Sequence, residues 1–420
     1  MEPGPPVPAY ILRGHEAAIH ALHFYANNAL LASADSDGWM VIWSLSSKRP
    51  VAVWKAHEAG VLQIKHWTTA RLVRDHKLRV WQLRHEDLVG LRTKLPADSD
   101  SSTAAAASDH PHPWLLHSMS VNALNFCAFS MCDQDPRRPA SGAVAAQLIA
   151  SPNGLDSGGI DIFQLPSERR ISQIRSDKNN PTGMVMAVCL FHQTTETASQ
   201  LVLVAGYEDG RITVLTHAGD LSNPDGSGRW QKVASCKAHT QPILSLAMLP
   251  CKTHFLSSSA DSLISKFCIP SLVDADDGSK DLKSEKSLNT KHSGQQGLSV
   301  RSDGKIFATA GWDGRVRVYS CKTMKELAVL KWHKVGCYST AFASIDPTVA
   351  PDAGVVDGVP PSSASLDGNA ALSSISTTKD ISQPMSALDM IKQQREENAR
   401  RTHWLGAGGK DGKISLWDIY

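Results

Sequence analysis

The chain has no run of eighteen apolar residues, which excludes a membrane-spanning helix. Met1 to Pro8 is Pro-rich and lacks the apolar stretch of a secretory signal. Neither sign of charge is in excess: 43 Lys and Arg against 41 Asp and Glu leave a net charge of +2. No global electrostatic footprint therefore points to nucleic acid or to a membrane surface. The eight Cys have no disulfide-framework spacing and sit mostly in strand-like runs, which suits reduced thiols in cytosol or nucleus. These absences describe a soluble intracellular protein. What is present is a 42% apolar share, enough for a full core, and eleven Trp, an excess that asks for a repeated structural use. At 420 residues the chain could hold two or three ordinary domains or one large all-β domain.

Internal repetition favours the single domain. Asp37 opens Asp-Gly-Trp-Met-Val-Ile-Trp43, a turn dipeptide followed by strand-like alternation that ends in an aromatic six positions after the Asp. Ser33 lies four residues before that Asp, and His15, in a Gly-His pair, lies twenty-two before it. The pattern resembles a WD40 repeat. That resemblance implies a four-stranded blade in which a His, a hydroxyl, an Asp and a Trp form a buried hydrogen-bonded tetrad. Such a chain is satisfiable because imidazole, hydroxyl, carboxylate and indole N–H supply matched donors and acceptors.

Seven units follow along the sequence, spanning about 10-45, 52-83, 119-165, 182-216, 233-269, 288-320 and 327-420. The first holds His15, Ser33, Asp37 and Trp43. In the second, His57, Asp75 and Trp81 keep the six-residue step, but Arg71 stands at the hydroxyl position and the unit is about four residues short, through compaction or deletion. The third, ending at Phe163, has no tetrad, and the fourth carries Asp209 and Leu215. The fifth holds His239, Ser257, Asp261 and Phe267; the sixth His292, Thr309, Asp313 and Tyr319. The last opens at His333 and resumes at Ala407, Asp411 and Trp417. The expected fold is thus all-β, a seven-bladed propeller. Its last blade lacks a fourth strand, and Tyr10 to Arg13 is the natural donor, which would also remove a free edge.

Three insertions break the frame. Residues 96-113 are small and polar and read as a disordered surface loop, 133-146 are rich in Pro, Arg and Gly, and 345-401 split the last unit between its first and second strands. Within the third, Ser382 to Arg400 has a cap, an early Pro and Met385, Leu388 and Ile391 at helical spacing, so a short amphipathic helix is predicted. It either lies against the propeller's own side or docks another subunit through Leu388 and Ile391. Trp39 and Trp312 flank Asp-Gly turns where the tetrad does not demand them. They are candidate partner contacts, or packing between blades.

Several constellations look chemical. His15, Ser33 and Asp37 have the composition of a hydrolase triad, but the set recurs and a nucleophile is needed only once. Gly406 to Asp411 superficially resembles a phosphate loop without its spacing, and reads as a hairpin. His110, His112, His117, Cys127 and Cys132 lack zinc-ligand spacing. Arg137-Arg138 and Arg169-Arg170 read as solvated loop charges. No catalytic, metal-binding or cofactor-binding residue emerges.

Pro8 to His15, Ile19 to Phe24, Asp37 to Trp39, Lys48 to His57, Leu78 to Leu83 and Leu165 to Ser167 are more individual than the generic repeat. Together they resemble the fungal ASTRA-associated protein 1 family, and are similar to the animal G-protein beta-subunit-like propeller. The resemblance implies a nuclear, non-enzymatic subunit of the ASTRA assembly, with the cytoplasm also open. The same resemblance implies links to chromatin remodelling and to maturation of phosphatidylinositol-3-kinase-related kinases. The partners it implies are the Tel-two and Tti proteins, RuvB-like ATPases and a kinase-like subunit, with no direct nucleic acid and no membrane. Two other readings stay open. A heterotrimeric G-protein beta subunit would need a long helix ahead of Tyr10, where only nine residues stand. A ubiquitin-ligase substrate receptor or histone-tail reader would bind a peptide at the central mouth.

Overall fold

The computed structural model describes residues 6–67, 70–74, 77–84, 86–98, 111–122, 127–137, 145–194, 199–218, 221, 229–270, 280–345 and 386–419. Their strands form seven antiparallel sheets. In chain order, the innermost strands of the first six are Ile19–Tyr25, Gln63–Trp67, Ser130–Asp133, Val185–Thr194, Ile243–Met248 and Gln295–Val300. In each, two successive hairpins lead outward to a third strand, and a further connection adds an antiparallel fourth. In the first sheet the order is Ile19–Tyr25, Leu30–Asp35, Trp39–Ser44, Arg49–Lys55. The fourth sheet gains a fifth, parallel strand, because Lys280–Asp281 pairs with Ala234 and Ser235 at its outer edge.

The last sheet is assembled from both ends of the chain. Cys337–Phe342, Trp404–Gly409 and Lys413–Asp418 supply three strands, and Tyr10–Arg13 pairs with the third, Leu12 opposite Ile414 and Arg13 opposite Lys413. The contact that joins this sheet to the first repeats a contact made elsewhere. Gly38 lies so close to the carbonyl of His57, and Gly210 to that of His239, that a Cβ would collide; Gly412 stands in the same relation to His15. All three glycines have positive φ (+87°, +85° and +70°), so the Asp-Gly dipeptide serves both turn and close approach.

Strands such as Trp39–Ser44 are buried at four consecutive positions, because both faces of each sheet are covered by a neighbouring sheet. Seven apolar clusters result, one between each successive pair of sheets and one between the last and the first. The cluster that joins last to first contains Leu12, Ile19, Trp43, Trp404 and Leu416. The innermost strands of all seven sheets line one cavity of about 780 Å³.

The insertions fall at strand connections. Residues 96-113 separate Lys77–Gln82 from the fourth strand of the second sheet, Leu115–Ser120. Residues 99–110 lie outside the described residues, as do 138–144 and 346–385. Most of 96-113, expected to be a disordered loop, therefore falls there, whereas Pro96–Asp98 forms a short 3-10 turn with Pro96 buried. Residues 345-401 connect Cys337–Phe342 to Trp404–Gly409, and they end in the helix Ala387–Arg401. Its cap is Ser386, four residues later than the expected Ser382, and the Ser386 hydroxyl accepts from the Asp389 amide at 3.2 Å. Met385 lies outside the described residues.

Candidate functional site

The buried polar network of the first sheet is a linear relay of hydrogen bonds. The Trp43 indole donates to Ser33 Oγ at 2.8 Å, Ser33 Oγ meets His15 Nε2 at 2.7 Å, and His15 Nδ1 meets Asp35 Oδ2 at 2.6 Å. Donation from Nδ1–H to the carboxylate leaves Nε2 as the acceptor of the hydroxyl proton. The carboxylate is that of Asp35 and not, as the spacing suggested, Asp37, which is exposed. Asp35 Oδ1 also accepts the amides of Asp37 and Trp39, both at 3.0 Å, and that turn clamp aims its other oxygen at His15. In the fifth sheet the equivalent position is Ser259. There Asp261, two residues further on, reaches His239 Nδ1 at 3.1 Å, while His239 Nε2 meets Ser257 Oγ at 2.8 Å.

Strand register identifies the hydroxyl position better than counting does. Ser33 faces Val41, two residues before Trp43, and Ser257 faces Ser265, two before Phe267. By the same rule Ala407 faces Ser415, two before Trp417. In the last sheet the hydroxyl sits on the other strand: Ser415 Oγ accepts from the Trp417 indole at 2.9 Å and meets His333 Nε2 at 2.9 Å, with His333 Nδ1 3.3 Å from Asp411. In the second sheet the facing pair is Val73 and Arg79, so Val73 rather than Arg71 holds the hydroxyl position. His57 and Trp81 are buried there, and Asp75 lies outside the described residues. Three residues separate the Arg74–Leu78 pair, against five between Ala34 and Met40, which places half of the four-residue shortening in that hairpin.

The sixth sheet departs further. His292 is partly exposed with Nδ1 3.6 Å from Asp313, and the group that meets Thr309 is the Gln295 amide, whose Oε1 accepts from Thr309 Oγ1 at 2.8 Å. Asp313 instead receives Arg317, with Nη2 to Oδ2 at 2.6 Å. Arg317 faces Thr309 and is 2% exposed, so a guanidinium replaces the imidazole as the carboxylate's partner. The third sheet has a separate knot, in which Asn153 donates to Asp161 at 2.9 Å and accepts the amides of Leu155 and Asp156. Asn122 donates to the Asn153 carbonyl at 2.7 Å.

The networks are enclosed. Ser33 and Ser257 are fully buried, and His15, Asp35 and His239 are 5% exposed or less, so these hydroxyls are out of reach of a substrate. Burial lowers the pKa of His239 and His333, opposed in part by Asp261 and Asp411 respectively. Arg170 lies 3.6 Å from Asp161 and His117 pairs with Glu168 at 2.7 Å. His110 lies outside the described residues. Among the described residues no three His, Cys, Asp or Glu side chains come together as metal ligands.

The candidate partner contacts separate. Trp39 is partly covered: it packs with Leu95 against the seam between last and first sheets, and the Arg92 guanidinium lies 5.7 Å over its ring. The segment carrying Arg92 and Leu95 had no signal in the repeat frame, yet it covers the first sheet's outer edge, with Val53 N donating to Arg92 O at 2.7 Å. Trp312 is 46% exposed, lies on Gly294 and donates to Gln296 Oε1 at 2.8 Å. The helix is held at its C-terminal end. Asn28 Nδ2 donates to Arg400 O, the Trp404 indole donates to Ala399 O at 2.9 Å, and Ala399 is its one buried residue. Its opening turns carry Leu388, Met390 and Ile391, exposed by 70%, 58% and 47%.

Comparison with known proteins gives a concordant picture. A family model described as ASTRA-associated protein 1 matches residues 8–417. The chain is 46% identical to ASTRA-associated protein 1 of Aspergillus niger, over 99% of this chain and 98% of that protein. It is 47% identical to the Penicillium rubens protein of the same name, again over 99% and 98%. The Schizosaccharomyces pombe protein of that name is 32% identical over 80% of this chain and 93% of its own.

Proposed function

The chain belongs to the ASTRA-associated protein 1 family, and from that membership we propose that it is a non-catalytic structural component of the ASTRA assembly, acting in the nucleus. On this reading the seven sheets are the blades of one WD40 propeller, and Tyr10–Arg13 closes the ring. The observation that supports the closed ring is the unbroken series of seven apolar seams, the last of which joins the two ends of the chain. A rigid ring suits a scaffold, because its buried polar networks hold blade geometry and leave surface elements for partners. The role in chromatin remodelling and kinase maturation follows from the family alone. Trp312 and the turn bearing Leu388 and Ile391 are the proposed contacts, since exposed aromatic and aliphatic anchors beside a fixed frame are the usual centres of binding energy.

Affinity purification of the tagged chain followed by mass spectrometry tests the proposal. Recovery of the Tel-two and Tti proteins, RuvB-like ATPases and the kinase-like subunit is expected. Recovery of cullin adaptors without them would sink it.

A further inference from the structure

The cavity framed by the seven innermost strands carries two ammonium groups against one carboxylate. Lys65, on Gln63–Trp67, is half-buried and lines it, as do Lys252 and the imidazoles of His20, His23 and His192. The one carboxylate among its described lining residues is Asp133, whose Oδ1 already accepts from Gln147 Nε2 at 2.6 Å. Lys65 makes no hydrogen bond or ion pair among the described residues. Its titratable neighbour is the thiol of Cys189, and burial pushes that thiol's pKa up to about 11, so it supplies no counter-charge at neutral pH. Cys132, also in the wall, is pushed up to about 12, chiefly by burial.

An ammonium withdrawn from water without a counter-ion is costly. Burial accordingly lowers the pKa of Lys65. A further N–H donor lines the same cavity: the His20 ring stacks on Tyr338 with centroids 5.1 Å apart. We propose that this cavity binds a compact oxyanion, the phosphate group of a phosphorylated small molecule, with Lys65 as its principal charge partner and the His20 imidazole as a further donor. The volume of about 780 Å³ is that of a small-ligand site, for which about 300–1,000 Å³ is typical. That size suits a phosphorylated small molecule. The site is separate from the proposed partner contacts on Trp312 and the helix, so it goes beyond the scaffold role.

Calorimetric titration of the full chain with inorganic tripolyphosphate, at ionic strength held constant with sodium chloride, provides the test. Lys65→Met removes the charge at nearly constant shape, and Lys392→Met on the exposed helix serves as the control. Binding by wild type and control, weakened about tenfold or more in Lys65→Met, is the expected result. Unliganded Lys65→Met should melt at or above the wild-type temperature, because it removes a half-buried charge that has no counter-ion. Equal affinity in Lys65→Met and wild type, no binding to wild type, or a marked loss of stability in unliganded Lys65→Met would each overturn the proposal. Displacement of tripolyphosphate by an oligoglutamate of equal charge at lower concentration would also overturn it, in favour of a peptide ligand.

Discussion

Ser415 and Ala407 face each other across one strand pair, and the hydroxyl shared by His333 and Trp417 sits on the third strand of its sheet, whereas Ser33 and Ser257 sit on the second. Removing it leaves a buried imidazole nitrogen and an indole N–H unpaired. Ser415→Ala should therefore cost about 1–3 kcal/mol in denaturant unfolding, and adding Ala407→Ser should recover much of that loss, since the second hydroxyl lands at the position used by Ser33. A Ser415→Ala variant as stable as wild type would contradict the network. The buried imidazoles also set a pH dependence. The pKa values of His239 and His333 lie below the ordinary 6.5, so the unfolded chain takes up protons before the folded one. Their contribution is present above pH 6.5 and is lost as pH falls through the lowered values. Thermal melts from pH 7 down to about 5 should show falling stability, with a shallower slope in a double His239→Gln, His333→Gln variant. These details were only partly legible in the sequence. The six-residue step from Asp to aromatic marks the third strand in five of the seven sheets, but a count along one strand misses a hydroxyl supplied from across the pair. It also misassigned Asp37, because two Asp residues flank Ser36 and the turn selects between them by backbone amides.

At the scale of elements, the helix Ala387–Arg401 follows local rules along its length and tertiary rules at one end. Ser386 caps it, Glu396 and Glu397 pair with Arg400 and Arg401 at 2.6 Å, and Asn28 and Trp404 bind its last carbonyls. The apolar spacing of Leu388 and Ile391 was readable, whereas the side left uncovered depends on packing far along the chain. The double variant Leu388→Glu, Ile391→Glu removes no buried contact, so its stability should change by less than about 0.5 kcal/mol. Recovery of partners in affinity purification should nevertheless fall severalfold. Equal recovery would remove this helix from the interface. Trp404→Phe, which forfeits the indole bond to Ala399 and disturbs the seam between last and first sheets, should loosen the helix and speed its amide exchange.

For the whole molecule, the account rests on a chain that returns to its own beginning. The repeat count anticipated the pairing of Tyr10–Arg13 with the final strand, since Arg49–Lys55, ahead of His57, is likewise the outer strand of the preceding sheet. The segment 86–98, which covers the first sheet's outer edge, has no repeat signature and was invisible to that reasoning. Arg13 and Lys413 are directly opposed across the closing pair, where Cα separations suit a disulfide. The most direct measurement is oxidation of the Arg13→Cys, Lys413→Cys variant. The account predicts an intramolecular cross-link in the native monomer and a melting temperature raised by several degrees, because the bond closes a loop of nearly the entire chain. Failure to cross-link in the folded state, or a cross-link that leaves the melting temperature unchanged, would contradict closure of the ring.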